Sequence, residues 1–200
     1  MQSITFSDSF NGYPINTNEE RGLGCFTKIL SVYEQRLEYM LSTHSKVMQV
    51  RFDLRYPSDG SVVPDIKHIY RFNQYMQRGL KELKFQGGHK VDPCYVGVIE
   101  QDHSPFPHVH MVVLVNANAI EYPVTVWRMA DLYWGLAIGS EQEGLVHYCL
   151  QHKNGIIARR DEDDYKDNIN KIFYQASYLA KLRDKEERSI GSRMCLKNRI

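Results

Sequence analysis

One strand-like segment constrains the fold of this 200-residue chain more than any other. His108-Val109-His110 opens a run of β-branched and apolar residues that continues through Leu114. Alternate side chains of a strand lie on one face, so the two imidazoles share a face and Val109 lies on the other. Two neighbouring imidazoles on a rigid strand supply much of a divalent-cation site. Taken alone, the pattern is also typical of ordinary, partly buried histidines.

A predicted β-hairpin brings a carboxylate to the two histidines. Glu100 ends the preceding apolar segment, and residues 101–107 are rich in turn formers. Antiparallel pairing would place Glu100 beside His108. Two imidazoles and a carboxylate suit Mg²⁺ or Mn²⁺ at least as well as Zn²⁺. His103 is a rival third ligand and Asp102 a weaker one, and a solvated strand-end carboxylate is the alternative for Glu100.

A second pattern lies near the C-terminus, where residues 169–182 have the apolar periodicity of an amphipathic helix. Tyr174, Tyr178 and Lys181 fall together on the side opposite the apolar stripe. A lysine close to a phenol favours the deprotonated form, which is the nucleophile. Two half-buried aromatic side chains without a chemical role are the alternative.

Together these residues resemble the HUH endonucleases, in particular the two-tyrosine rolling-circle replication initiators of the bacterial and filamentous-phage branch. His108-Val109-His110, with a proline before it, is similar to the His-hydrophobic-His motif of that family. Residues 174–181 are similar to its YxxxYxxK motif, and Glu100 lies at the separation where several members place a third metal ligand. The strand at residues 48–55 resembles the family's first motif.

The resemblance implies a reaction in which a divalent cation polarises a phosphodiester of single-stranded DNA and a tyrosine attacks it. The products are a 5′-phosphotyrosine adduct and a free 3′-hydroxyl. His108, His110 and Glu100 would hold Mg²⁺ or Mn²⁺. Tyr178 would be the tyrosine common to one- and two-tyrosine members, with Tyr174 the additional one and Lys181 their catalytic partner.

The same resemblance implies the partners of the protein: single-stranded origin DNA, at a hairpin or nick site, and a helicase and a polymerase of the host. Arg51, Arg55, Lys181 and Arg183 are the candidate DNA contacts, although exposed arginines without a partner are nearly as common. A net charge of +1 argues against a protein that coats duplex DNA. Alternatives are a non-catalytic origin-binding module, a small HUH transposase, and a phosphoesterase that activates water.

Cysteine usage and hydropathy indicate the compartment. The four cysteines are widely spaced without a CxxC pair, so we expect reduced thiols and neither a disulfide framework nor a zinc site. The sequence shows no apolar run long enough to span a bilayer and no secretory signal. These features predict a cytoplasmic protein without a membrane partner, and the resemblance implies that the cytoplasm is that of a bacterial host cell.

The order of predicted elements favours an α+β fold. Helices at 26–41, 65–85, 125–136 and 169–182 alternate with strands at 46–56, 95–100, 108–114 and 145–151. This order predicts a ferredoxin-like βαββαβα sandwich of HUH type, with a central antiparallel sheet, helices on one face and an open face for substrate.

Two finer expectations concern the N-terminal residues and the first strand of the sheet. Residues 1–24 are predicted to be a polar extension without a core of its own, and residues 25–200 a single domain. On the first strand of the sheet, Asp53 would either support a metal ligand or pair with an arginine.

Overall fold

The structure is a computed structural model that describes residues 3–83, 88–100, 106–149, 154–182 and 195–198. The α-helices of these residues are α1 (Thr27–Thr43), α2 (Ile66–Glu82), α3 (Pro123–Ile138) and α4 (Tyr165–Ala176). The 3₁₀ helices are Glu19–Arg21 and Ser177–Ala180. The strands are β1 (Ile4–Thr5), β2 (Ser9–Phe10), β3 (Tyr13–Pro14), β4 (Cys25–Phe26), β5 (Lys46–Leu54), β6 (Cys94–Glu100), β7 (His108–Asn116), β8 (Val146–His147), β9 (Ile156–Arg159) and β10 (Cys195–Lys197).

The central sheet has the strand order β10-β6-β7-β5-β8, and β9 also pairs with β5. All of these pairings are antiparallel. The predicted α+β class and the antiparallel sheet are therefore confirmed. The predicted strand at 145–151 is reduced to the two residues of β8 among the residues described, and β9 and β10 were not predicted.

Helices cover both faces of the sheet, so the expected open face is wrong. One face, with Val50 and Phe52 of β5, packs against α2 and α3 in one apolar cluster. The opposite face packs against α1 and α4 in a second cluster that includes Val47, Val112 and Leu114. The alternation of apolar and charged residues in this segment predicts that Arg51 and Asp53 lie on a solvated side of the strand, but both are buried. The alternation of apolar and polar residues in β5 therefore distinguishes two packed faces. Apolar residues dominate one face, and the other contains polar residues among the apolar ones.

The tyrosine-bearing segment begins earlier and ends differently from the predicted helix. The α-helix α4 ends at Ala176, and the next turn, Ser177–Ala180, is 3₁₀. Its buried apolar side chains belong to the predicted apolar stripe: Ile172, Phe173, Ala176, Leu179 and Ala180. Ser177 is buried as well. The buried Gln49 side chain of β5 links the sheet to two helices. Its amide nitrogen donates to the Ile172 carbonyl of α4 at 3.1 Å, and its side-chain oxygen accepts from the Tyr33 hydroxyl of α1.

The N-terminal residues lie against α4. The Tyr13 ring stacks on Phe173 with the ring centroids 4.4 Å apart, and Ile15 is buried. The Asn16 backbone amide donates to the Ser177 hydroxyl at 2.8 Å. The division of the chain at residue 24 remains a prediction, but Tyr13 and Ile15 take part in the apolar cluster of α1 and α4.

In the part of the chain that the structure describes, no helix combines the length and the hydropathy that crossing a bilayer requires.

Candidate metal centre and nucleophile

The hairpin of β6 and β7 places Glu100 directly opposite His108, in the predicted register. The Glu100 carboxylate oxygen Oε2 lies 3.3 Å from His108 Nε2 and also contacts His110 Nε2. One donor atom from each residue lies within 4.8 Å of the other two. Two imidazole nitrogens and a carboxylate oxygen therefore converge on one point, as a mixed nitrogen and oxygen cation site requires.

Asp53 holds the second histidine from behind. It lies opposite His110 in the pairing of β5 with β7, and its Oδ1 is 2.6 Å from His110 Nδ1. In a neutral imidazole, donation from Nδ1 to the carboxylate leaves the lone pair on Nε2, the nitrogen that faces Glu100. Asp53 Oδ1 is also 4.0 Å from Arg51 Nη2. Asp53 therefore makes both contacts that the sequence suggested, one with a candidate metal ligand and one with an arginine.

The charges of this cluster shift two pKa values in opposite directions. Burial opposes ionisation of Asp53, but the hydrogen bond and charge of His110, with Arg51, outweigh it and hold the Asp53 pKa below its ordinary value. Burial likewise opposes protonation of His110, yet its hydrogen bonds to Asp53 and Glu100 raise the His110 pKa above the ordinary value. A proton on His110 is thus stabilised by the same two carboxylates, so it would compete with a cation for the imidazole nitrogen that faces Glu100.

Tyr178 lies against this cluster. Its ring centroid is 5.6 Å from that of His110, with the planes nearly perpendicular at 87°. The Arg51 guanidinium carbon lies 4.1 Å from the centroid of the Tyr178 ring, and Lys181 Nζ lies 5.3 Å from it. Both positive charges therefore lie within cation–π range of the Tyr178 ring. Tyr178 is 36% exposed, so its ring remains accessible to a substrate.

Tyr174 lies one turn earlier and is 44% exposed. With Tyr178 and Arg51 it lines a cavity of about 580 Å³, whose wall also contains Asn16 and Lys171. The structure therefore places both tyrosines on one accessible surface beside the metal-ligand cluster.

The remaining predicted residues divide into two groups. Arg55 is exposed just after the end of β5. Arg183, His103 and Asp102 lie outside the described residues, so the choice between Glu100 and His103 as a ligand stays a prediction.

Sequence reasoning missed three polar residues near Asp53. His147 lies in β8, and Cys149 follows it two residues later; both side chains lie close to Asp53. The Asn154 side chain accepts from the Arg51 backbone amide at 2.8 Å and donates to the Arg51 carbonyl. The alternation His147-x-Cys149 is a signal comparable to His108-x-His110, but strand β8 is too short for periodicity to reveal it.

Comparison with known proteins identifies the family. The model of the YagK/YfjJ C-terminal domain matches residues 5–193, nearly the whole chain, so the protein belongs to that family. The expected membership of the HUH endonuclease superfamily, and of its rolling-circle initiators, is therefore wrong. Short motifs carried that assignment, and two histidines on a strand with tyrosines on a helix do not define one family. No curated protein and no solved structure matches the chain.

Proposed function

We propose that the protein is a metal-dependent enzyme that cuts single-stranded DNA with Tyr178 as the nucleophile. The observation that carries the proposal is the contact between the Tyr178 ring and His110. His110 belongs to the cluster of Glu100, His108 and His110 whose donor atoms could hold a cation. A phenol flanked by two cations and adjacent to a cation site has the parts of a phosphoryl-transfer centre. The proposal rests on this geometry and not on family membership.

The donor set fits a hard or borderline divalent cation. One carboxylate oxygen and two imidazole nitrogens on one side of the site suit Mn²⁺, or Mg²⁺ with water as further ligands. The cation would polarise the phosphoryl oxygens and offset the charge that builds on them. Asp53 is a positioning residue in this scheme, because it contacts His110 and fixes which imidazole nitrogen faces the cation.

The covalent step exchanges one phosphoester for another. The Tyr178 phenolate oxygen bonds to phosphorus, the bond from phosphorus to the 3′-oxygen breaks, and that oxygen takes up a proton. A 5′-phosphotyrosine and a free 3′-hydroxyl result, and the reverse reaction rejoins the strand without an energy source. Arg51 and Lys181, which lie beside the Tyr178 ring, would neutralise the charge of the phosphate. Tyr174, on the same surface, would accept a second strand transfer.

The residues that line the neighbouring cavity are consistent with a substrate of unpaired, single-stranded DNA. The exposed Tyr174 ring offers a stacking surface, and Lys171 offers a phosphate contact at the same cavity. Arg55 is a further candidate contact.

A reversible cut that leaves a 3′-hydroxyl provides a primer, which is why the proposal includes nicking at an origin and the start of rolling-circle replication. A helicase and a polymerase would be partners in that setting. We also propose that the core is ferredoxin-like, which the spatial order β6-β7-β5-β8 supports.

The test is adduct formation. The protein is incubated with Mn²⁺ and a pool of end-labelled single-stranded oligonucleotides, then run on a denaturing gel. We expect a labelled protein band that requires Mn²⁺ and is lost in Tyr178→Phe, or only in the double variant Tyr174→Phe/Tyr178→Phe. Tyr122→Phe is the matched control, because Tyr122 is exposed next to α3 on the opposite side of the sheet.

Two outcomes overturn the proposal. Cleaved oligonucleotide without an adduct would show that water, and not a tyrosine, is the nucleophile. Binding of the oligonucleotides with neither cleavage nor an adduct would show a non-catalytic DNA-binding module.

A further inference from the structure

A second cluster of ligand-type side chains lies on the other oxygen of Asp53. Asp53 Oδ1 contacts His110, whereas Asp53 Oδ2 is 3.7 Å from His147 Nδ1. Cys149 Sγ is 3.6 Å from the same nitrogen of His147. One donor atom from each of Asp53, His147 and Cys149 lies within 4.8 Å of the other two. These three residues form a group distinct from Glu100 and His108.

The spacing of these atoms matches a tetrahedral ion. Bonds of about 2.3 Å from zinc to sulfur and about 2.0 Å to nitrogen put neighbouring ligand atoms about 3.5 Å apart. The 3.6 Å between Cys149 Sγ and His147 Nδ1 is close to that value for a sulfur and a nitrogen. The 3.7 Å between His147 Nδ1 and Asp53 Oδ2 exceeds the roughly 3.3 Å expected for two bonds of about 2.0 Å, so the carboxylate would move by a few tenths of an ångström on binding. Three protein donors leave the fourth tetrahedral position for water, and the half-exposed His147 side chain shows that solvent reaches the cluster.

The chemistry of the donors separates this cluster from the candidate catalytic one. A thiolate sulfur selects zinc and similar borderline or soft cations, whereas carboxylate and imidazole without sulfur also accept Mg²⁺ and Mn²⁺. We propose that Asp53, His147 and Cys149 form a zinc-type cation site that shares Asp53 with the Glu100, His108 and His110 cluster.

The backbone around Cys149 holds the thiol at this position. Cys149 has a φ of 49°, in the left-handed region that non-glycine residues seldom adopt. The Asn154 side chain fixes the preceding residue by donating to the Tyr148 carbonyl at 2.5 Å, and it also donates to the Arg51 carbonyl of β5. The segment that carries His147 and Cys149 is therefore attached to the strand that carries Asp53.

A reactive thiol is the other use of a buried cysteine, and the surroundings of Cys149 oppose it. Burial, followed by the negative charge of Asp53, raises the pKa of the Cys149 thiol to about 12. Free thiolate is scarce at neutral pH under those conditions, so nucleophilic or redox chemistry is disfavoured. On zinc binding, the sulfur bonds to the ion and the thiol proton leaves to solvent, so affinity increases with pH.

Cobalt reports on this site directly, because Co²⁺ bound to a thiolate has a near-ultraviolet charge-transfer band. The full chain, reduced and then freed of reductant, is titrated with Co²⁺. We expect the band to saturate at one thiolate-bound cobalt per chain and to disappear when Zn²⁺ is added. Cys149→Ser should abolish the band, and His147→Ala should weaken cobalt binding by about tenfold or more.

Matched variants separate this site from its neighbours. Cys195→Ser removes a partly exposed thiol elsewhere in the sheet and should keep the band. His108→Ala removes a ligand of the other cluster and should also keep it, so this result is independent of any nuclease activity. Absence of the band in the wild-type protein, or its persistence in Cys149→Ser with unchanged circular dichroism, would overturn the proposal. An unchanged cobalt affinity in His147→Ala, whose half-exposed side chain makes unfolding a poor explanation, would also overturn it.

Discussion

The two faces of the central sheet are built from alternate residues of the same strands, yet they differ in chemistry. The face toward α2 and α3, here the apolar face, carries residues such as Val50, Phe52 and Met111. At one end of the opposite face, here the polar end, the alternate positions are Arg51, Asp53, Glu100, His108 and His110. Arg51, Asp53 and His110 are almost fully buried there.

Packing explains the composition of the apolar face but not that of the polar end of the opposite face. Apolar side chains gain free energy from burial, whereas a buried charge is unfavourable unless partners and hydrogen bonds offset its desolvation. Replacing such groups with apolar residues of similar volume is often neutral or stabilising. The polar end is therefore the part of the sheet whose composition calls for a functional explanation.

The largest expected effect is on activity at the polar end. His108→Ala removes a cation ligand, so we expect cleavage to fall on the order of 10³-fold or more, since bound cations contribute several kcal/mol to transition-state stabilisation. His108 is partly exposed, so the free energy of unfolding should change by less than about 1 kcal/mol. Single-turnover cleavage and urea denaturation check the two halves, and oligonucleotide binding should be mostly retained. Loss of the fold would contradict the assignment.

The apolar face should show the reverse pattern. Phe52 is fully buried and meets Phe72 edge-on with the centroids 6.2 Å apart. Phe52→Ala should lower the free energy of unfolding by about 3–5 kcal/mol through lost burial and a residual cavity. The folded fraction should bind Mn²⁺ with unchanged affinity in calorimetry. A large loss of Mn²⁺ affinity in folded protein would remove the distinction between the faces.

Asp53→Asn tests the link between the strands at the polar end. The amide keeps the volume of the carboxylate but removes its charge, so the His110 tautomer is no longer fixed. We expect Mn²⁺ affinity to fall about 10–100-fold, as for other residues that hold a metal-binding histidine. Competition with a fluorescent metal indicator measures it, with Asp59→Asn, in an exposed turn, as the control. Equal affinities for the two variants would show that Asp53 does not position His110.

The smallest effect is on the pH dependence of stability. The His110 pKa is raised, so its ion pairs stabilise the metal-free fold fully below the unfolded value of 6.5 and are lost as pH rises through the folded pKa. The Asp53 pKa is lowered, so its contribution exists above 3.8 and is lost as pH falls through the folded pKa. In the presence of a chelator, stability should fall above pH 6.5 by at most about 1.4 kcal/mol per pH unit from this one group.

The control for that measurement is His110→Asn, which lacks the titrating group. Urea unfolding on both sides of pH 6.5 should show a shallower slope in this variant than in the wild-type protein. Identical slopes would show that His110 is not the group responsible.

Patterns within short sequence segments predicted the features that contacts between residues close in the sequence determine. The turn formers after Glu100 and the apolar run after His110 led to the correct hairpin register, and the apolar stripe of residues 169–182 led to the buried side of α4. Gly139 ends α3 in the left-handed conformation, as helix-stop signals predict.

Contacts between distant segments explain what the sequence did not predict. Tyr178 lies against Arg51 and His147 lies against Asp53, and both come from segments more than ninety positions away in the chain. Alternation within β5 carries no information about these contacts, so it suggested a solvated face. The change from α to 3₁₀ at Ser177 was not predicted, because helical periodicity continues through it. The Ser177 hydroxyl accepts from the distant Asn16 backbone amide at this turn. Family membership depends on the whole chain and was not readable from the motifs.

The most direct test is to locate the bound cation. Crystals of the protein grown with Mn²⁺ would be measured for anomalous scattering. The account predicts a peak ligated by Glu100, His108 and His110, on the side of His110 that Tyr178 contacts. A fully occupied manganese ion bound elsewhere, with these three residues unliganded, would contradict it.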